Sequence, residues 1–176
     1  MILRSILLLA ALSGPAWAER LLVAHPDGFV LGHQGQDAPG TRIVELVPEG
    51  ETVRAWSQMV TIQVMPWIAD IAGYTDEVGT SVGQACPGAE TSPVAQGVEG
   101  GYPVSVILLS CPASPRDGRP KQVLLKAMAG RESAYVVRWA WSGGVPDARQ
   151  VEMASRFLAA VAICDGTATD AACRNR

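Results

Sequence analysis

Apolar and polar positions alternate along most of this chain, and a helical period interrupts the alternation twice. FVLGHQG (29–35), TRIVELV (41–47) and AWSQMVTIQV (55–64) read as the first three strands. The turn HPDG leads into the first of them. PEGE lies between the second and third; Pro48 suits the first central turn position and Gly50 tolerates positive φ, so a tight hairpin is expected. Within 55–64, alternate residues share a face. Trp56, Gln58, Val60, Ile62 and Val64 fall on one side; Ser57, Met59, Thr61, Gln63 and Met65 fall on the other. The first set is apolar except for Gln58 and is assigned to the core. Ser57, Thr61 and Gln63 are expected to face outward or toward a weakly bound partner. Trp56 is read as an anchor at the core's edge, with ligand stacking as the sharper alternative.

Pro66 is placed at the start of a first helix, where its missing N–H costs nothing. Trp67, Ile68, Ile71, Tyr74, Val78, Val82 and Ala85 form its apolar stripe. Gly73, Gly79 and Gly83 weaken that helix and suit close packing on a sheet. SPVAQGV and YPVSVILLSC flank EGG, and KQVLLKAMAG and ESAYVVRWAW flank Gly130-Arg131, which gives two more hairpins. PDARQVEMASRFLAAVAIC is the second helix, with a stripe of Val151, Ala154, Phe157, Leu158, Val161 and Cys164; Asp147 stands at its positive end. The order β-β-β-α-β-β-β-β-α predicts a single α+β domain: an antiparallel sheet of about six or seven strands covered by helices.

The N-terminus changes the picture. Arg4, the apolar run Ile6–Leu12 and Ala16-Trp17-Ala18 have the order of a secretory signal, so residues 1–18 are expected to be removed and 19–176 to form the domain. No other apolar run approaches the roughly 20 residues of a membrane-spanning helix, so no transmembrane anchor is expected after removal. A periplasmic or secreted location follows. Four cysteines remain, Cys86, Cys111, Cys164 and Cys173, and an even count in an oxidising compartment implies two disulfides. Three pairings are possible; Cys86–Cys111 with Cys164–Cys173 is favoured, since CDGTATDAAC is a short polar loop able to turn back on itself.

Residues 19–99 carry 3 basic and 11 acidic side chains, whereas residues 100–176 carry 10 and 6. The chain is acidic overall, at −3, which argues against nucleic-acid binding.

The element order resembles the PsbP-like family, which includes the periplasmic DcrB-like proteins. GFVLGHQG, VPEGETVRAWSQMVTIQV with its following helix, and VEMASRFLAAVA carry the resemblance. It is one of topology and pattern and covers most of residues 19–176. It implies a small α-β-α scaffold used for accessory protein binding, usually without catalysis. No family functional residue is carried over, and the two disulfides are an addition to the family pattern.

Few residues suggest chemistry. His25 and His33 do not stand at metal-binding spacing on a helix, and His33 with Asp37 would make only a weak site. WSGGV around Ser142 lacks the frame of a nucleophile elbow and reads as a loop. Asp70, Asp76 and Glu77 are placed on the polar side of the first helix, where solvation explains them. Arg116, Arg119, Lys121 and Lys126 form a basic loop, read as solvated or facing an anionic surface. No cofactor is expected. The favoured function is a non-catalytic accessory or binding protein whose partner is another envelope protein or a small ligand, with Trp56, Gln63 and His33 as the candidate surface. The alternative is a small secreted hydrolase acting on envelope or ester substrates.

Overall fold

Residues 29–48 pair as the alternation predicts. In a computed structural model, which describes residues 19–38, 40–165 and 173, they form β2 (Phe29–Ala38) and β3 (Thr41–Pro48). A short β1 (Arg20–Leu22) precedes them, and β4 (Gln58–Pro66) follows. Next come α1 (Ile71–Ala85), β5 (Glu90–Thr91), β6 (Ala95–Glu99), β7 (Tyr102–Cys111), β8 (Lys121–Ala129) and β9 (Ser133–Ser142). The chain continues with α2 (Ala148–Ala159) and β10 (Ala162–Cys164). The expected signal segment 1–18 and residues 166–172 lie outside the described residues.

The fold is α+β. The main sheet has the order β2-β3-β4-β9-β8-β7-β5, with β6 also on β7, and every pairing is antiparallel. It holds eight strands rather than six or seven, because Glu90–Thr91 is too short to show in a pattern. A separate ribbon pairs β1 with β10.

The second helix is shorter than expected, and Lys126 explains where it stops. α2 starts on a capping box, with Asp147 accepting from Gln150 N and Gln150 Oε1 accepting from Asp147 N. At its other end the Lys126 ammonium donates to Leu158 O at 3.1 Å and Val161 O at 3.0 Å, and it pairs with Glu99. Val161 N also donates to Leu158 O at 3.2 Å in a closing turn, so the last carbonyls are satisfied partly by that turn and partly from the sheet. Residues 162–164 extend into β10 instead. Lys126 is therefore no part of a solvated loop: it is 1% exposed, inside β8. Cys164 is likewise a strand residue, and Val151 stays exposed.

The first helix also begins later than Pro66, which closes β4 opposite Ser133. Asp70 is its N-cap and accepts from Gly73 N at 2.9 Å, so this carboxylate has a structural task; Asp76 and Glu77 are exposed as expected. α1 packs mainly on β7 and β8. Gly79 permits the approach, since a Cβ there would stand 3.1 Å from Ile107 Cδ1. Thr75 is fully buried; its hydroxyl donates to Ile71 O at 2.8 Å and meets Ser105 Oγ.

Two cores result, one on each face. Phe29, Val60, Val137, Trp139 and Leu158 belong to the face under α2, and Phe29 and Phe157 meet the Trp139 ring edge-on. Ile71, Ile107, Leu125 and Val136 belong to the face under α1. At the β8–β9 turn, Glu19 accepts from Arg131 N at 2.6 Å and Tyr135 Oη at 2.9 Å, and Tyr102 donates to Asp165. Burial first, then the hydrogen bond to Asp165, pushes the Tyr102 phenol up to about 12; burial, then Glu19, raises Tyr135 as well. Both favoured disulfides are present, Cys86–Cys111 and Cys164–Cys173.

Candidate functional site

α1 covers the β7–β8 side of its face, and the β2–β3–β4 side of that same face remains open. The register defines the face: Glu45 pairs with Thr61, Thr61 with Arg138, and Arg138 with Leu125, which lies under α1. Over the open side lies a pocket of about 760 Å³. Its floor includes His33, Ile43, Glu45 and Met59, with Asp37 toward one end. Val53, Arg54 and Trp56 wall it from the β3–β4 connection, and Arg116, Asp117 and Lys121 wall it from the β7–β8 connection.

Local sequence shapes both walls. Gly50 adopts φ 85° and Glu51 N donates to Pro48 O, so a turn forms here with Pro48 as its first residue rather than at the expected first central position, and the expected tight hairpin is absent. The chain does not enter β4 there. Thr52 and Ala55 bridge to each other, and the Glu51 carboxylate accepts from Ser57 N at 2.6 Å and Ser57 Oγ at 2.7 Å. This second turn delays the strand to Gln58, and strand alternation therefore does not reach Trp56. Trp56 lines the pocket instead of joining the Val60 face, and its ring lies 4.6 Å from Lys121 Nζ. The other wall starts at the Cys86–Cys111 disulfide, directly before residues 112–120. Gly118 N donates to Ser114 O at 2.7 Å, and Ser114 N to Arg119 O at 2.9 Å, closing that loop on itself.

The charges around the pocket are unevenly matched. Lys121 is held by Asp117 at 2.9 Å, and this contact is the first cause of an Asp117 carboxyl held below its usual value. Among the described residues, Arg54, Arg116, Glu45 and Asp37 belong to no ion pair. Glu45 and Arg54 were not singled out from sequence. Glu45 interrupts an apolar run and Arg54 sits in a turn, which are weak signals.

The structure brings His33 and Trp56 to one pocket. Gln63 lies beneath it and is 6% exposed, not outward-facing; its Nε2 donates to Asp37 Oδ2 at 3.1 Å. Met59 and Thr61 are buried on the same face, because β4 is interior to the sheet and both its faces are covered in part. His25 is exposed and apart from the pocket lining. No cluster of three or more His, Cys, Asp or Glu fit for a metal occurs among the described residues. Ser142 ends β9 and is buried rather than lying in the loop. Lys121 Nζ donates to its hydroxyl at 3.0 Å while also donating to Asp117, so this lysine acts as a donor and not as a base.

No family model matches the chain, and no curated protein matches it. Solved structures do. Cyanobacterial PsbP (CyanoP) from Synechocystis sp. PCC 6803 aligns at TM-score 0.48 and 13% identity, covering 84% of this chain and 91% of that one. LpqN of Mycobacterium tuberculosis, described as involved in cell envelope biogenesis, aligns at 0.46 and 11%, covering 86% and 87%. A mutant of the protein Mog1 aligns at 0.43 and 10%, covering 80% and 84%. The solved structures similar to this chain thus include a PsbP, of the family whose element order the sequence resembles.

Proposed function

We propose that this chain is an exported, non-catalytic accessory or binding protein of the periplasm or the extracellular space. Its pocket over β2–β3–β4 is where an envelope protein or a small ligand meets it. The observation that carries the reading is the pocket itself: concave, walled by a half-buried Trp and lined by four charged groups outside every ion pair among the described residues. Charged groups left unmatched around a cleft suit recognition better than stability. Two disulfides support an oxidising compartment, and cleavage after Ala18 would deliver the chain there.

The test is retention of an envelope component by the disulfide-intact protein and by Trp56→Ala. Retention by the wild type, lost in the variant, with quenching of Trp fluorescence on binding, is the expected result. Equal retention by both proteins would remove the pocket from the function. Turnover of ester or cell-wall substrates that disappears in Ser142→Ala would favour a hydrolase instead.

A further inference from the structure

A second pocket, of about 280 Å³, lies where β9 leaves the sheet for α2. Gln58 and Trp141 line it from the sheet, residues 143–146 from the loop, and Gln150 from the first turn of α2. Its described lining contains no ionisable side chain. The hydrogen bonds around it leave donors in excess. Trp139 Nε1 donates to Gln58 Oε1 at 3.0 Å, and Asp147 N donates to Gln150 Oε1 at 2.9 Å. Both partners are donors only, so they fix the orientation of the two carboxamides. The amide N–H groups of Gln58 and Gln150 then have no partner among the described residues. Trp141 adds a third donor: the residue is 3% exposed, and its Nε1 is buried without an acceptor. Orphaned buried donors are uncommon and call for a cause. The Ser57 and Ser142 hydroxyls are already engaged, by Glu51 and Lys121.

We propose that this pocket binds a small monocarboxylate, whose oxygens accept from Trp141 Nε1 and the two glutamine amides. A carboxylate is an acceptor only, so it complements a set of N–H donors. An ammonium ligand finds no carboxylate in the lining, and a sugar brings hydroxyl donors that the lining does not match. One cation stands beside the site. Arg119 lies against Gly143, where a Cβ would collide with its guanidinium, and its Nη2 donates to Ser142 O at 3.3 Å. Arg119 and the positive start of α2 offset the charge of Asp147 at the cap. A single guanidinium matches a monoanion better than a dianionic phosphate. Trp141 Nε1 is closed to solvent, so entry includes a shift of residues 143–146. Gly144 has open space where a Cβ would stand and Val145 is 79% exposed, so little packing resists that shift.

This site is separate from the pocket over β2–β3–β4, and the inference does not rest on that pocket's function. The indole N–H resonances of the disulfide-intact protein are followed by NMR while sodium acetate, acetamide or sodium chloride is added. Trp141→Phe identifies the Trp141 resonance. Acetate is expected to move that resonance downfield to saturation, and sodium chloride at equal ionic strength to leave it in place. Gln150→Glu keeps the capping box, because a carboxylate at this position also accepts from the cap N–H. It replaces a donor by a like charge, so acetate should bind at least about tenfold more weakly. A melting curve matching the wild type confirms that the variant folds. The proposal is overturned if a water cross-peak on the Trp141 N–H shows that an ordered water alone completes the donor. Equal effects of acetate and chloride, the mark of an adventitious ion only, overturn it as well. Acetamide binding as tightly as acetate overturns the choice of an anion. A response at the Trp56 indole in place of Trp141 moves the carboxylate to the other pocket, and acetate affinity in Gln150→Glu within about twofold of the wild type removes the glutamine donor; either result overturns the assignment.

Discussion

Lys126→Met should destabilise the protein by about 1–3 kcal/mol, a value that follows from weighing two opposed terms. Methionine has nearly the length and volume of the lysine stem, so the core loses little packing. The ammonium's disappearance removes a desolvation cost, and replacing a whole buried ion pair by apolar groups is often neutral. Here only one partner is replaceable. Leu158 O and Val161 O are backbone atoms that stay behind: Leu158 O keeps its bond from Val161 N at 3.2 Å, whereas Val161 O loses the ammonium that donates to it. The one carbonyl left without this donor costs about 1–3 kcal/mol, and this sets the size of the loss. Glu99 adds little, because its side chain is 45% exposed and regains water. Urea unfolding followed by Trp fluorescence measures the loss, and a thermal melt should fall by roughly 2–12 °C. Glu99→Gln supplies the contrast and should cost about 1 kcal/mol, since both carbonyl bonds remain. If Lys126→Met melts within about 0.5 kcal/mol of the wild type, Lys126 is not what terminates α2. A Glu99→Gln loss as large as that of Lys126→Met would shift the weight to the ion pair.

Alkaline titration should unfold the protein early. Tyr102 moves from 10.0 to about 12 and Tyr135 also moves up, so the folded state holds phenol protons that the unfolded chain releases; their stabilisation is complete below pH 10 and is lost as pH rises toward 12. Phenolate absorbance and circular dichroism should change together in that window, and phenolate appearing near pH 10 in the folded protein would contradict this. Val60→Ala should cost about 2–4 kcal/mol, since Val60 is fully buried, and Gln63→Ala about 1–2 kcal/mol through its bond to Asp37. Denaturant melts decide it, and a Gln63→Ala loss under about 0.5 kcal/mol would restore an outward-facing side chain. Cys86→Ala/Cys111→Ala should lose roughly 3.5 kcal/mol in the chain-entropy model and bind pocket ligands more weakly; unchanged affinity would show that the disulfide does not hold the Arg116 wall.

The long strands were legible because their alternation continues for eight to ten residues, as in β3 and β9. The hairpin at Gly100-Gly101 was legible from its glycines, which take φ 57° and 89°. The residues that misled did so for a common reason: their environment is set by elements distant in sequence. Lys126 looks solvated until the end of α2 comes down on it. Gln63 looks like an outward residue until β9 and Asp37 close around it. Trp56 fits a strand period by arithmetic, but Glu51 ties off a second turn before the strand begins. The same limit applies to the pocket. His33 and the basic residues at 116–121 were noticed separately, and only the sheet order, which carries β7 and β8 to the far side of β9, lets a loop from one half of the chain face a strand from the other.

The half-covered sheet face separates two kinds of evolutionary pressure. α1 and its neighbours hold the β7–β8 core, whereas Arg54, Arg116 and Asp117 around the open side stand on the connections 49–57 and 112–120. Arg54 and Arg116 are exposed and support no packing. Their identities can drift at little cost to folding, and lineages carrying this scaffold are free to acquire different ligands while keeping one core. The same property makes Arg54 and Arg116 suitable positions for a randomised library, in which new specificities could be selected without first restoring stability.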